Sequence, residues 1–307
     1  MVRQTEIHVT VHYRIRILSI VVLFIVAVGS VVRAQQPCSV TPVLRIRMAT
    51  NIFNAQQERT LGDIEAEWVE SNYHPVHDVE LAVHLNTVAA RILSQFPPDR
   101  ARVRIILIDT SEAESFSVGP ERIYITRKMI ASLKYDDELA GLLGHELGHI
   151  LAHQNAVIVS QLFRRILGVN TISDRKDILE TMTRLFATID RDRKLSWKST
   201  QIIETQEAIH QYEADRVALY ASAAAGFSPQ AFVDLFNRSA KTNGKVGNFM
   251  TDIFAATNSD TRRLREIKKI LKGLPGPCRE IAPASSTEFR SWQAAVNSYP
   301  DFGTHDD

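Results

Sequence analysis

Apolar residues recur at helical spacing along most of this chain and at strand spacing over only two short stretches. Ile52, Phe53, Leu61, Ile64 and Trp68 predict a helix from Asn51 to about Val69. Pro75 interrupts the pattern. Leu81, Val83, Leu85, Val88 and Ile92 then carry a second helix from Asp78 to about Ser94, which Pro97-Pro98 ends. Val103–Asp109 reads as a β-strand by composition and length, and so does Glu121–Thr126, bounded by Gly119-Pro120. The intervening Ser111–Val118 reads as an irregular or edge segment. Helical spacing returns at Arg127–Leu133 and in a strongly apolar helix from Asp136 to about His153. It persists through Val157–Leu167, a charged stretch from Ile172 to about Arg193, and a long helix, Trp197–Ala225, ending at Gly226. Gln230–Ser239, Asp260–Leu271 and Thr287–Tyr299 are further helices. The pattern predicts an α+β, predominantly helical domain with a small β-sheet, no internal repeats, and a polar tail, Asp301–Asp307.

The first residues differ from the rest. Arg3, Arg14 and Arg16 precede Ile17–Val32, which is uncharged, and Val32-Arg33-Ala34 offers small residues at −3 and −1 of a cut before Gln35. Residues 1–34 read as a signal peptide, with an N-terminal membrane anchor as the rival. The apolar run falls short of the ~20 residues that span a bilayer comfortably. Either reading sends the chain out of the cytoplasm, with possible membrane association through residues 17–32. Residues 35–50 are a connecting arm, 51–275 one domain and 276–307 a C-terminal segment with one short helix. Two cysteines exist, Cys38 and Cys278. In an oxidising compartment an even pair reads as a disulfide, against the alternative of two unrelated thiols. The net charge of +1 and the scattered Lys and Arg residues suggest no nucleic acid.

The chemistry lies in the apolar helix, which contains His145-Glu146-Leu147-Gly148-His149. Residues four apart share a helix face, so His145 and His149 can direct imidazole nitrogens at one Zn²⁺. Glu146 is offset around the helix and can reach an activated water as general base without binding the metal. The competing reading is an amphipathic core helix carrying two histidines. Burying two histidines and a glutamate among Leu and Ile costs several kcal/mol unless something satisfies them.

In combination, three stretches resemble the HtpX-like gluzincin zinc metallopeptidases, peptidase family M48, over roughly residues 50–275. They are Ile123-Tyr-Ile-Thr followed by Asp137-Glu-Leu-Ala-Gly-Leu-Leu-Gly-His-Glu-Leu-Gly-His, then Tyr212-Glu-Ala-Asp-Arg-Val-Ala-Leu-Tyr220 ahead of Ala225-Gly-Phe-Ser-Pro229, and the late basic helix Arg262-Arg-Leu-Arg-Glu-Ile267. The resemblance implies a zincin-like fold with its small sheet beside the motif helix and one Zn²⁺ per chain. It implies His145 and His149 as ligands, Glu146 as the base, a third ligand from a Glu-x-x-Ala-Asp pattern, and the aspartate of that pattern, Asp215, supporting the site.

Ala214 and Asp215 match that pattern, but the ligand position is Gln211. Three outcomes are open: Gln211 ligates through its carbonyl oxygen, Glu207 one turn earlier substitutes, or the metal is loose or absent. Glu213 falls on the opposite side of the helix. Thr257-Asn258-Ser259 stands where many relatives carry Thr-His-Pro, so Asn258 replaces a histidine. His153 reads as a polar helix end or a supporting group. His210, Tyr212 and Arg216 read as packing or surface residues, or as oxyanion donors. Ile123, Tyr124 and Ile125 read as an edge strand that binds substrate backbone, against the alternative of a fully paired core strand.

The implied activity is a zinc metalloendopeptidase acting on protein or peptide substrates of the bacterial envelope or periplasm, in protein quality control. The alternative is a catalytically weak relative that binds clients as a chaperone does. A third reading is a membrane-anchored structural subunit. The 168–195 insertion lies between the ligand helices, where a lid would sit, and the sequence does not assign its role.

Overall fold

The computed structural model describes residues 38–41, 50–97, 102–110, 112–239 and 261–300. Residues 1–34, Asn258, the tail 301–307 and most of the arm lie outside the described residues. The order is α1 (Ala55–Asn72), β1 (His74–Pro75), α2 (Val79–Leu93), β2 (Arg104–Asp109), β3 (Ser115–Val118), β4 (Arg122–Thr126), α3 (Arg127–Ser132), α4 (Asp136–Leu151) and α5 (Gln154–Leu162). A π-helical turn, Phe163–Leu167, leads to α6 (Arg175–Arg191), α7 (Arg193–Ala224), α8 (Pro229–Ser239), α9 (Thr261–Gly273), the single turn α10 (Gly276–Arg279) and α11 (Thr287–Ser298). The architecture is a predominantly helical α+β fold, as the periodicity predicts.

Caps explain where the helices begin. The Asn54 side chain accepts from the Gln56 and Gln57 amides while the Gln57 side chain accepts from the Asn54 amide, so α1 starts later than its apolar spacing suggests. Asp78, where the apolar spacing begins the second helix, caps α2, and Asp192 caps α7, starting it one turn before Trp197. Helix α4 lacks a side-chain cap, but Asp136, Asp137 and Glu138 place acids on its positive end.

The four strands lie in the order β1-β2-β4-β3. Strand β4 pairs in parallel with β2, Ile105 opposite Ile123, and antiparallel with β3, Phe116 opposite Tyr124. Ile123, Tyr124 and Ile125 therefore do not form an exposed edge. Both sides of their backbone are paired, and the edge beside α4 is Ser115–Val118. The sheet is covered on both faces, and the period of two divides it: Ile123 and Ile125 enter one core with α2, α4, α8 and α11, whereas Phe116, Val118 and Tyr124 enter a second with α1, α5 and α6. Between the strands, Gly119 (φ +56°) meets Gly62 of α1, where a Cβ on either would fall under 3 Å from the other's Cα.

The insertion contributes one face of α6 to this second core. Ile178, Met182, Leu185 and Ile189 of α6 are buried there together with Leu61, Phe163 and Ile203. The C-terminal segment holds two helical pieces and docks on the first core. Phe289, Trp292 and Val296 are buried, the Trp292 indole donates to the Leu81 carbonyl (2.8 Å), and Arg127 donates to the Val296 and Asn297 carbonyls. Cys38 and Cys278 are joined by a disulfide, the pairing expected from their number. No described helix is long and apolar enough to cross a membrane.

Candidate metal centre

Small residues let α4 and α7 approach closely, and that approach assembles the site. A Cβ on Gly144 would lie 3.0 Å from the Ala218 Cα, and one on Gly148 2.6 Å from the Ala214 Cα. Histidines on α4 thereby face the turn of α7 that carries Gln211 and Asp215. All are buried: His145, Glu146 and Asp215 have no exposure, His149 3 % and Gln211 7 %.

The two Nε2 atoms of His145 and His149 converge to 2.9 Å, with the rings at 90°. Two imidazoles on a tetrahedral ion with bonds of about 2.0–2.1 Å would hold these atoms about 3.3 Å apart, so the pair is nearly in ligating register. Burial lowers the pKa of both histidines, and for His149 the neighbouring His145 adds to it. Both are thus held neutral, the form that coordinates a metal. Gln211 lies against His145, and its Oε1 is buried without a hydrogen-bond partner. A buried carbonyl oxygen against His145, whose imidazole converges with that of His149, is a donor set that fits a divalent ion. Among the described residues no group of three His, Cys, Asp or Glu side chains could hold a metal ion, and the donor they offer beside the histidines is the Gln211 amide. The side chain of Glu207 lies outside the described part of the structure.

Behind the histidines stands an ion pair. Asp215 Oδ1 is 3.0 Å from His145 Nδ1, which fixes the tautomer that leaves Nε2 free. Arg263 of α9, 3 % exposed, donates to both Asp215 oxygens at 2.8 and 2.6 Å and lies over the Phe236 ring. Burial works to raise the Asp215 pKa, but Arg263 and His145 together outweigh it and the net shift is downward. The Arg263 Nη2 is also 3.3 Å from His145 Nε2. Arg263 is the residue that sequence reasoning missed. The signal was present, because it stands four before buried Ile267 and eight before buried Leu271, an arginine on an apolar stripe.

Glu146 points the other way, to the sheet edge. Ser115 Oγ donates to its Oε1 at 2.8 Å, while Oε2 has no partner. Burial pushes its carboxyl up to about 8, with the Ser115 hydrogen bond opposing. Ser115 is the second residue missed.

The remaining candidates fall outside this constellation. His153 adopts left-handed φ (51°) and ends the motif helix, its Nδ1 2.7 Å from Glu58 Oε2. Glu213 sits 3.6 Å from Arg216 on the far side of α7. His210 is buried, which lowers its pKa, and its charge acts in turn to lower that of His149. Tyr212 is partly buried.

A family model described as peptidase family M48 matches residues 80–271, from the start of α2 to α9. The chain belongs to peptidase family M48. The match includes both histidines, Glu146, Gln211, Asp215 and Arg263, but not the C-terminal helix α11. The M48 chain is 22 % identical over 189 residues to the beta-barrel assembly-enhancing protease of Yersinia pestis, covering 61 % of this chain and 38 % of that protein. It is 23 % identical over 150 residues to the mitochondrial metalloendopeptidase OMA1 of Arabidopsis thaliana, covering 48 % and 28 %. The chain thus spans about a third of the length of these curated relatives. Family and relatives place it among the metallopeptidases.

Proposed function

We propose that this M48 chain is a zinc metalloendopeptidase that cleaves protein substrates outside the cytoplasm. The observation that carries the reading is the convergence of the two buried histidine Nε2 atoms, with the Gln211 side chain against His145. In it, His145, His149 and Gln211 hold the ion. A bound zinc ion would supply Lewis acidity, activating water and polarising a scissile carbonyl. Glu146 takes the proton of the attacking water and returns it to the leaving amine. Strand β3, last in the sheet order and beside Glu146, aligns the substrate backbone, and Ser115 on that strand donates to Glu146. Asp215 and Arg263 fix the orientation of His145. The extracytoplasmic setting rests on the apolar segment 17–32 and the Cys38–Cys278 bond. The name of the Yersinia relative favours envelope proteins as substrates.

One observation supports a second reading, a weakly active relative that binds clients. Position 211 is a glutamine, a neutral amide, and the buried Arg263 cation lies beside His145. Such a site holds a dication less tightly than one with a carboxylate. Metal analysis of the purified protein, casein cleavage and the E146Q variant separate the two. Stoichiometric zinc with cleavage abolished in E146Q supports the peptidase. Zinc well below one per chain, or cleavage unchanged in E146Q, refutes it. Q211E is expected to raise zinc affinity about tenfold or more, and an unchanged affinity would mean that position 211 is not a ligand.

A further inference from the structure

The corner where α6 turns into α7 carries surface chemistry that the metal centre does not use. Trp197, in the second turn of α7, is 64 % exposed and is the one aromatic among the strongly exposed large hydrophobic residues of the described structure. Lys194 and Lys198 flank it on the helix at i−3 and i+1, and Arg193 lies one turn back at i−4. Lys198 Nζ donates to the Arg165 carbonyl at 2.8 Å, which brings the π-helical turn and its exposed Arg164 and Arg165 to the same corner. Arg191 ends α6 there. Six cations thus meet two acids, Asp190 and Asp192, in a chain whose overall charge is only +1. Asp192 is engaged in capping α7 through the Lys194 amide. Among the described residues, none of the six cations is in an ion pair. Ile166, Leu167 and Val169, half-buried, border the same turn.

An exposed indole among Lys and Arg side chains that make no ion pair within the described residues matches one class of partner. The interfacial layer of a membrane takes up an indole at headgroup depth, and anionic headgroups attract the cations. We infer that this corner docks the protein on anionic phospholipid. The helix that carries it also carries the metal centre. Gln211 lies fourteen residues further along α7, about 21 Å at 1.5 Å per residue. Docking would hold the centre at a fixed height above the lipid, within reach of protein segments emerging from it.

The test uses the full chain and a readout local to Trp197, because residues 17–32 bring an apolar segment of their own. Vesicles of brominated phosphatidylglycerol with phosphatidylethanolamine quench a tryptophan that enters the headgroup region. Trp68 and Trp292 remain as internal references, so wild type is compared with W197F. The expected result is quenching in wild type that W197F loses, that R193E/K194E/K198E weakens about tenfold or more, and that high salt or pure phosphatidylcholine suppresses. Equal quenching of wild type and W197F, or quenching unaffected by the triple charge reversal, would overturn the inference. So would sedimentation with vesicles while Trp197 stays unquenched, since another segment would then hold the lipid. Casein cleavage by R193E/K194E/K198E should match wild type, the corner being remote from the metal centre.

Discussion

The close crossing of α4 and α7 gives a test of how the site is assembled. In G148A the new Cβ would lie 2.6 Å from the Ala214 Cα, 3.1 Å from its Cβ and 3.2 Å from its carbonyl oxygen. Carbon atoms in ordinary contact stand about 3.5–4.0 Å apart, so the helices must separate by about 1 Å. The obstruction is backbone and cannot rotate away. Overpacking of this kind costs about 1–3 kcal/mol. It also moves Gln211, three residues before Ala214, away from the histidines on the facing helix. A ligand bond of about 2 Å does not survive a 1 Å displacement. Calorimetric unfolding and zinc titration against a chromophoric chelator would show a lower Tm and zinc affinity reduced about tenfold or more. A214G should not rescue G148A, because the Cα itself is the obstacle. Q211A should add little to the affinity lost in G148A if both act through the third donor. Wild-type stability and affinity in G148A, or fully additive losses with Q211A, would refute the assembly described here.

Two further outcomes follow from buried charges away from the metal ligands' own protons. Glu65, 1 % exposed, has its pKa pushed from 4.5 to about 8 by burial, against a hydrogen bond from Asn155. The folded chain therefore keeps this proton while the unfolded chain releases it, so stability should fall as pH rises from about 4.5 to 8, by on the order of 3–5 kcal/mol in total. E65Q should flatten that slope in urea melts taken across the range, and an unchanged slope would reject the assignment. R263M leaves the Asp215 carboxylate buried and unpaired, and a loss of about 3–5 kcal/mol is expected. D215N/R263M should recover much of it in the same assay, and a double variant as unstable as the sum of the singles would contradict the pairing.

The convergence of His145 and His149 was legible because i,i+4 spacing survives any tertiary arrangement. The strand order was not. Strands β3 and β4 form a hairpin, but β4 rather than β3 turns back beside β2, and nothing local in Ile123–Thr126 says which neighbour it takes. Strand β3 was also disguised by its composition. Ser115 and Ser117 occupy buried positions where an apolar alternation would be expected, and Ser115 is there to reach Glu146. Arg263 was hidden for the converse reason, since a run of basic residues reads as a solvated face until one of them is found to match a buried aspartate. The helix starts at Asn54 and Asp192 were written in their capping side chains and outweighed by the more conspicuous apolar residues nearby.

The Cys38–Cys278 bond makes the domain a covalent ring, 240 residues around. A peptide bond broken anywhere inside that ring opens a loop but releases no piece. The Asn51–Val169 half that carries the sheet stays attached to the half that carries Gln211, Asp215 and Arg263. For a molecule living among proteases, damage and detachment become separate events, and the second needs a reductant as well as a cut.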